Sequence, residues 1–259
     1  MSRSSVSSTS RPAIDLHVVE LSGGAIALVA TAVACGALAQ SVTGFGFSLV
    51  AAPVFVIVTT PTNGVRLVNL LALVVNVGLL TVERRTAVPG DALRLLLPAL
   101  VVAPVVASLA HRADSDVLSI VAGSLIVATA LVLASGLRSR RLHGVAGAIG
   151  AGTVSSAMNV VSGVGGPAAA MYAVNAHWPP HAMRPTLQLY FLGLNIVSLA
   201  ALGLAVPEPA AAGVLLAALV AGLLLGLRLA RRLPVHAVRN TVLGLAIVGG
   251  AVAIVRGLV

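Results

Sequence analysis

The chain has no lysine. All 16 of its basic residues are arginine, set against seven acids, and charged residues make up only 9% of its 259 positions. A typical soluble domain carries about 25%, so this chain has too little charge to cover a soluble surface. Aromatic residues are scarce as well, at 3%, which removes the stacking platforms of a nucleic-acid binder. The net charge of +9 comes from arginines in short loops between apolar runs, where membrane proteins carry charge for topology. Cys35 has no second cysteine to pair with, which excludes a disulfide framework and a thiolate metal cluster. Its place in an apolar run reads as a small packing residue.

The apolar runs themselves lack ionisable groups. Asp15, Glu20, Glu83, Asp91, Asp114, Asp116 and Glu208 all fall in the N-terminal tail or near the ends of runs, and none of the six histidines lies mid-run. Proton- and cation-coupled pumps usually keep an acid or histidine at membrane depth, so a buried relay and a carboxylate metal cage are not expected. There is no Walker A motif, no HExxH and no nucleophile elbow, so the expectation is a protein that is not an enzyme and needs no cofactor. His177 and His181 have helical spacing, but Pro179 and Pro180 between them break the helix such a pair needs; they read as loop residues.

What the chain does have is apolar length. Residues are 58% hydrophobic, the mean hydropathy is +1.06, and apolar runs suited to a bilayer core of about 30 Å recur from Gly23 to Val255. Residues 1–22 are polar and serine-rich, which reads as a disordered tail before a single membrane domain, 23–259. Arg3, Arg11 and Ala37-Leu38-Ala39 have the outline of a signal peptide. The equivalent later segment lies mid-chain, however, which favours a membrane helix.

The chain also repeats itself. Thr43-Gly44-Phe45-Gly46 returns as Ser162-Gly163-Val164-Gly165, 119 residues later; Arg66 is matched by Arg184 and Asn76 by Asn195. Each repeat divides into five apolar segments: 24–39, 44–58, 65–82, 91–110 and 115–136, then 144–158, 163–176, 185–204, 210–230 and 235–255. Repeat 1 spans about 23–137 and repeat 2 about 142–256. The first two segments of each are short and meet at glycine. They could be a re-entrant hairpin, two tilted crossings or one broken helix.

Charge separates these alternatives. Under either hairpin reading the repeats are inverted, and 11 arginines share one face against 5 on the other. A single broken crossing makes the repeats parallel and the split 9 to 7. The positive-inside rule favours the larger asymmetry. The predicted fold is thus an all-α polytopic membrane protein of two inverted repeats of five hydrophobic segments, the first two of each glycine-broken. The Arg138–Arg141 loop is then cytoplasmic and both termini lie outside.

Glycine and proline inside apolar helices free backbone groups, tolerated at membrane depth only in protein or beside a water-filled cavity. Interrupted segments in both halves of a duplicated membrane protein point to a transport site. The breaks at Gly44, Gly46, Gly163, Gly165 and Gly166 present helix N-termini, which attract anions. Gln40, Ser41, Thr43 and Ser48 flank the first; Ser155, Ser156, Asn159 and Ser162 flank the second. Thr43 and Ser162 precede the breaks in both copies and stand out as ligands. Asn76 and Asn195 fall mid-segment and line the expected path, with Gln188 and Tyr190 as further candidates. Arg66 and Arg184 read either as snorkelling interfacial residues or as gates attracting substrate from opposite faces. The competing explanation of the glycines is close helix packing.

The stretch Gln40 to Pro53, the second break Ser162 to Pro167, the Arg184 to Asn195 segment and Arg228 to Pro234 resemble the sulfite exporter TauE/SafE family of bacterial membrane permeases. The resemblance covers nearly everything after residue 22. It implies a multi-pass permease of the bacterial inner membrane that exports sulfur-containing or related organic anions, such as sulfite and sulfonates, by alternating access. The family's commoner glycine run has a third glycine where this chain has Phe47. Expected partners are a small anionic substrate and the lipid bilayer, with no nucleic acid; a homo-oligomer is left open. The alternative is a membrane scaffold or assembly protein without transport activity, whose breaks pack dry against protein.

Overall fold

The computed structural model describes residues 16–136, 143–230 and 232–259. The most basic loop, with Arg138, Arg140 and Arg141, lies outside the described residues, as does the tail before Leu16.

Each half holds the same succession of helices. The first runs α1 (Gly23–Thr43), α2 (Phe47–Val58), α3 (Pro61–Glu83), α4 (Pro89–Leu96) with α5 (Ala99–Ala110), and α6 (Ser115–Ser135). The second runs α7 (Gly144–Ser162), α8 (Gly166–Asn175), α9 (Pro180–Leu202), α10 (Pro209–Leu229) and α11 (Val235–Leu258). Among the described residues eight spans are long and apolar enough to cross a bilayer, counting α4 and α5 as one. Helices α2 and α8 are the short exceptions, at 12 and 10 residues. The sequence understated α1, expected to stop at residue 39. It continues to Thr43 and is about 31 Å long, with Ala37 and Ala39 buried in mid-helix.

Local chemistry explains the boundaries. Ser22 and Thr60 accept from the backbone N–H groups of Ala25 and Asn63, and Pro61, Pro180 and Pro209 occupy first helical positions, where no N–H is needed. Helices α1 and α7 end the same way. Gly44 (φ 84°) and Gly163 (φ 71°) are left-handed, and their N–H groups donate to the carbonyls of Gln40 and Asn159. Side chains rarely adopt that conformation.

Helix ends sort into two groups by contact. At one end, the Arg66 end, Arg66 on α3 reaches Leu202 at the close of α9 and His111 after α5. Arg256 on α11 reaches Val56, Ile57 and Thr59 at the close of α2. At the other, the Arg184 end, Glu83 closing α3 pairs with Arg184 opening α9, and Arg239 opening α11 reaches Leu133 closing α6. Helix α1 leaves the Arg66 end and α2 returns to it, while α7 leaves the Arg184 end and α8 returns to it.

Four of these arginines act alike. Arg66, Arg184, Arg239 and Arg256 each donate to carbonyls in the last turn of another helix. Carbonyls in the last turn lack the helical N–H four residues on, although that of Leu133 also accepts from the Gly136 N–H, and a guanidinium satisfies them while complementing the negative dipole end. Its planar fork reaches several carbonyls at once.

Glycines let the helices close on one another. A Cβ on Gly222 of α10 would lie 2.2 Å from the Ala34 carbonyl of α1, and one on Gly123 of α6 would lie 2.6 Å from the Gly250 carbonyl of α11. Bilayer helices lack a hydrophobic drive to associate, so close backbone approach supplies the attraction. Outward faces are apolar and uncovered, with Val101, Leu109 and Val248 each 60% exposed or more, as lipid contact requires.

Three expectations are corrected. Leu16–Val19, inside the supposed disordered tail, forms strand β1, which pairs in parallel with β2 (Leu204–Pro207), and Val19 and Leu21 are buried. Cys35 is exposed on the flank of α1, so it is not packed inside. His181 lies in the first turn of α9, whereas His177 is in the preceding loop with φ 55°.

Candidate functional site

The two glycine breaks meet around one small cavity of about 30 Å³. Its lining pairs residues 119 positions apart: Gln40 with Asn159, Phe45 with Val164, Ser48 with Pro167, Ala72 with Phe191, and Asn76 with Asn195. Gly46, Leu49 and Gly166 complete it. A space of this size holds about two water molecules.

Carboxamides organise the cavity. Gln40, near the end of α1, accepts from the Phe47 N–H at the start of α2 (3.2 Å). Its amide nitrogen donates to Asn76 Oδ1 (2.8 Å) on α3 and to Gln188 Oε1 (2.9 Å) on α9. Asn159, near the end of α7, accepts from the Gly165 N–H ahead of α8 (3.3 Å). Its amide nitrogen donates to Asn195 Oδ1 (3.2 Å) on α9 and to Asn69 Oδ1 (3.0 Å) on α3. Asn69 and Gln188 are themselves 119 residues apart. One pattern is therefore built twice, each half reaching into the other through α3 and α9.

These six side chains are 5% exposed or less. The Nδ2 groups of Asn69 and Asn76 are buried without a partner. An unmet buried donor costs about 1–3 kcal/mol, which a bound acceptor would recover. The donors are neutral, so an anion held by them meets no fixed positive charge.

The glycines divide by role. Gly46 (φ 135°) and Gly166 line the cavity. Gly44 and Gly163 make the turns behind it. Gly165 has ordinary backbone but no room: a Cβ there would lie 2.7 Å from the Ser155 carbonyl. The Tyr190 hydroxyl donates to Ser155 Oγ (2.8 Å), which donates to the Gly165 carbonyl (2.6 Å), so Tyr190 braces the second break.

The hydroxyls of Thr43 and Ser162 turn to their own backbone. Thr43 Oγ1 donates to the carbonyls of Ala39 and Phe45, and Ser162 Oγ to that of Met158. Neither lines the cavity. Arg66 and Arg184 also stand outside it. Arg66 is buried, with Nε on the Leu202 carbonyl (2.9 Å) and Nη1 on Asn63 (3.2 Å). Arg184 holds the Ser41 carbonyl and Glu83 (3.4 Å), beside a surface basin with Arg85, Thr86 and His181. Among the described residues no group of acids, histidines and cysteine is placed to hold a metal.

Sequence reasoning named Gln40, Asn159 and Gln188 but set them behind Thr43 and Ser162, and it missed Asn69. The signal was present: the 119-residue offset that links Asn76 to Asn195 also links Gln40 to Asn159 and Asn69 to Gln188. It is hidden because each of these last pairs exchanges one residue type for another.

Helices of bilayer length with lipid-facing apolar flanks, around a buried polar cavity, define a multi-pass membrane protein of the transporter class. The chain belongs to the sulfite exporter TauE/SafE family, whose family model matches residues 28–253. Comparison with curated proteins and with solved structures gives no match.

Proposed function

We propose that the chain is a permease for small sulfur-containing or organic anions, sulfite and sulfonates foremost, working by alternating access across the bacterial inner membrane. One observation carries this reading: a polar cavity lined by equivalent residues of both glycine breaks, with the buried amide of Asn76 on its wall left unmet. A scaffold would have no use for such a cavity. The substrate class comes from the family name, and the neutral donors suit an oxyanion that must be held and then released.

The two halves are inverted repeats in this proposal. Support comes from the hairpins, which return to opposite ends, and from the doubled carboxamide pattern. Among the described residues, Arg84, Arg85, Arg94, Arg184, Arg228, Arg232 and Arg239 gather at the Arg184 end, while Arg66, Arg112 and Arg256 lie at the other. The positive-inside rule then makes the Arg184 end cytoplasmic.

Binding groups are Asn76 and Asn195, with the backbone at Gly46 and Gly166, while Gln40 and Asn159 hold the two asparagines in place. Thr43, Gly44, Ser162, Gly163 and Gly165 shape the two breaks around the anion. Arg66 and Arg184 keep the helix ends in register and give each mouth a positive potential. The cavity is small at its present size, about 30 Å³, and it widens for substrate as the halves part. An inside-negative potential drives anions outward by about 2.3 kcal/mol per charge per 100 mV, so export needs no intramembrane acid. Flux of labelled sulfite in liposomes under an imposed potential tests the reading.

A further inference from the structure

We propose that the bonds Gln40–Gln188 and Asn159–Asn69 are the two gates of the cavity, and that the resting protein opens more readily at the Asn159–Asn69 gate, toward the Arg66 end. The proposal rests on the permease reading above. Both bonds cross from one half to the other, and both are made here. Gln188 lies one turn from Arg184 on α9, and Asn69 lies about one turn from Arg66 on α3. The two bonds therefore flank the cavity toward opposite ends.

The gates are equivalent in position but unequal in chemistry. On the Arg184 side both partners are glutamines. Gln40 has two amide hydrogens and two acceptors, Asn76 and Gln188. Gln188 in turn donates to the Gly44 carbonyl (2.7 Å). Both amide hydrogens of Gln40 are used, and parting the gate strands one of them. It also strains the Gln188 hold on the break.

On the Arg66 side both partners are asparagines, one methylene shorter. The Asn69 amide nitrogen has no partner, so nothing matches the bond from Gln188 to Gly44. Asn159 has two amide hydrogens but three acceptors: Asn69, Asn195 and Ser198 Oγ (3.0 Å). The counterpart of Ser198 in the first half is Leu79, so this surplus is specific to one gate. When Asn69 withdraws, both hydrogens of Asn159 keep acceptors. Opening here strands no donor of Asn159, and it lets water reach the unmet Asn69 amide.

The test is one-sided labelling of a cavity cysteine, Ser48→Cys in a Cys35→Ser background, by a membrane-impermeant thiol reagent in sealed vesicles of both orientations. A separate Ala210→Cys variant, exposed at the Arg66 end, marks that side. The expected result, without substrate, is labelling about tenfold faster from the marked side, the equivalent of one to two hydrogen bonds. Gln188→Asn, which shortens the tighter gate while keeping its polarity, should bring the two rates together, and Gln188→Leu should do so further.

Equal rates in the parent, faster labelling from the Arg184 side, or no response to either Gln188 substitution overturns the gate assignment. Absence of labelling from both sides overturns it too. Sulfite flux measured on the same vesicles distinguishes the failures: with flux intact only the gates are wrong, and with flux absent from folded protein the permease reading falls with them.

Discussion

Gln40 and Asn159, 119 residues apart, hold the same pair of groups: a backbone N–H at the start of the next, short helix, and the mid-helix asparagine of their own half, Asn76 or Asn195. A helix that ends at a glycine leaves its last carbonyls and the next helix's first N–H groups without helical partners. In a bilayer those groups must be met by protein or enclosed water. A carboxamide meets the need because it offers acceptor and donor together. The amide that stabilises the break thus also places polar groups on the cavity wall.

The cavity amides should matter more than the hydroxyls of the breaks. Asn76→Ala or Asn195→Ala removes a donor facing the anion, and hydrogen bonds to charged groups are worth about 1.5–3 kcal/mol. Sulfite affinity, measured by binding to purified protein, should fall about tenfold or more.

Thr43 and Ser162 bond only to nearby backbone in their own breaks. The double variant Thr43→Ala, Ser162→Ala should lower thermal stability modestly, by about 1 kcal/mol, and weaken affinity less than Asn76→Ala alone. A larger loss of affinity than in Asn76→Ala would show that the hydroxyls turn to the anion when it binds.

Close-packed glycines should tolerate nothing larger. Gly222→Val pushes a side chain into the Ala34 backbone and should separate α1 from α10, lowering the melting temperature or preventing folding. Gly213 on the same helix has nothing within 4 Å of its Cβ position, and Gly213→Val should leave the melting curve nearly in place. The contrast removes helix propensity as the explanation.

Arginine should not be replaceable by lysine at the helix ends. Arg256 reaches three carbonyls at the close of α2, and an ammonium lacks the planar fork that spans them. Arg256→Lys should destabilise the protein by about 1–2 kcal/mol, read as a lower midpoint of thermal unfolding in detergent.

Much of this was legible in the sequence. The ten apolar segments, the glycine breaks and the pairing of Asn76 with Asn195 follow from hydropathy and a constant offset. The end of α1 did not, because Gln40 and Ser41 read as polar interruptions, whereas in the fold they are buried helical residues. Strand β1 was hidden because its partner β2 lies almost two hundred residues away, and four residues carry no periodic signal of their own. The roles of Arg66 and Arg184 were invisible for a related reason. An arginine at the edge of an apolar run looks alike whether it meets lipid headgroups, substrate or a carbonyl of a distant helix, and here the partners are Leu202 and Ser41. Adjacency to a break does not show where a hydroxyl points, and those of Thr43 and Ser162 point to their own backbone.

The most direct test of the central claim is flux of labelled sulfite and of a sulfonate through purified protein in liposomes, under an imposed membrane potential, with Asn76→Ala and Asn195→Ala alongside the parent. The account predicts potential-dependent flux of at least one anion in the parent and a loss of about tenfold or more in each variant. Flux of neither anion from folded parent protein, or full flux in both variants, would contradict it.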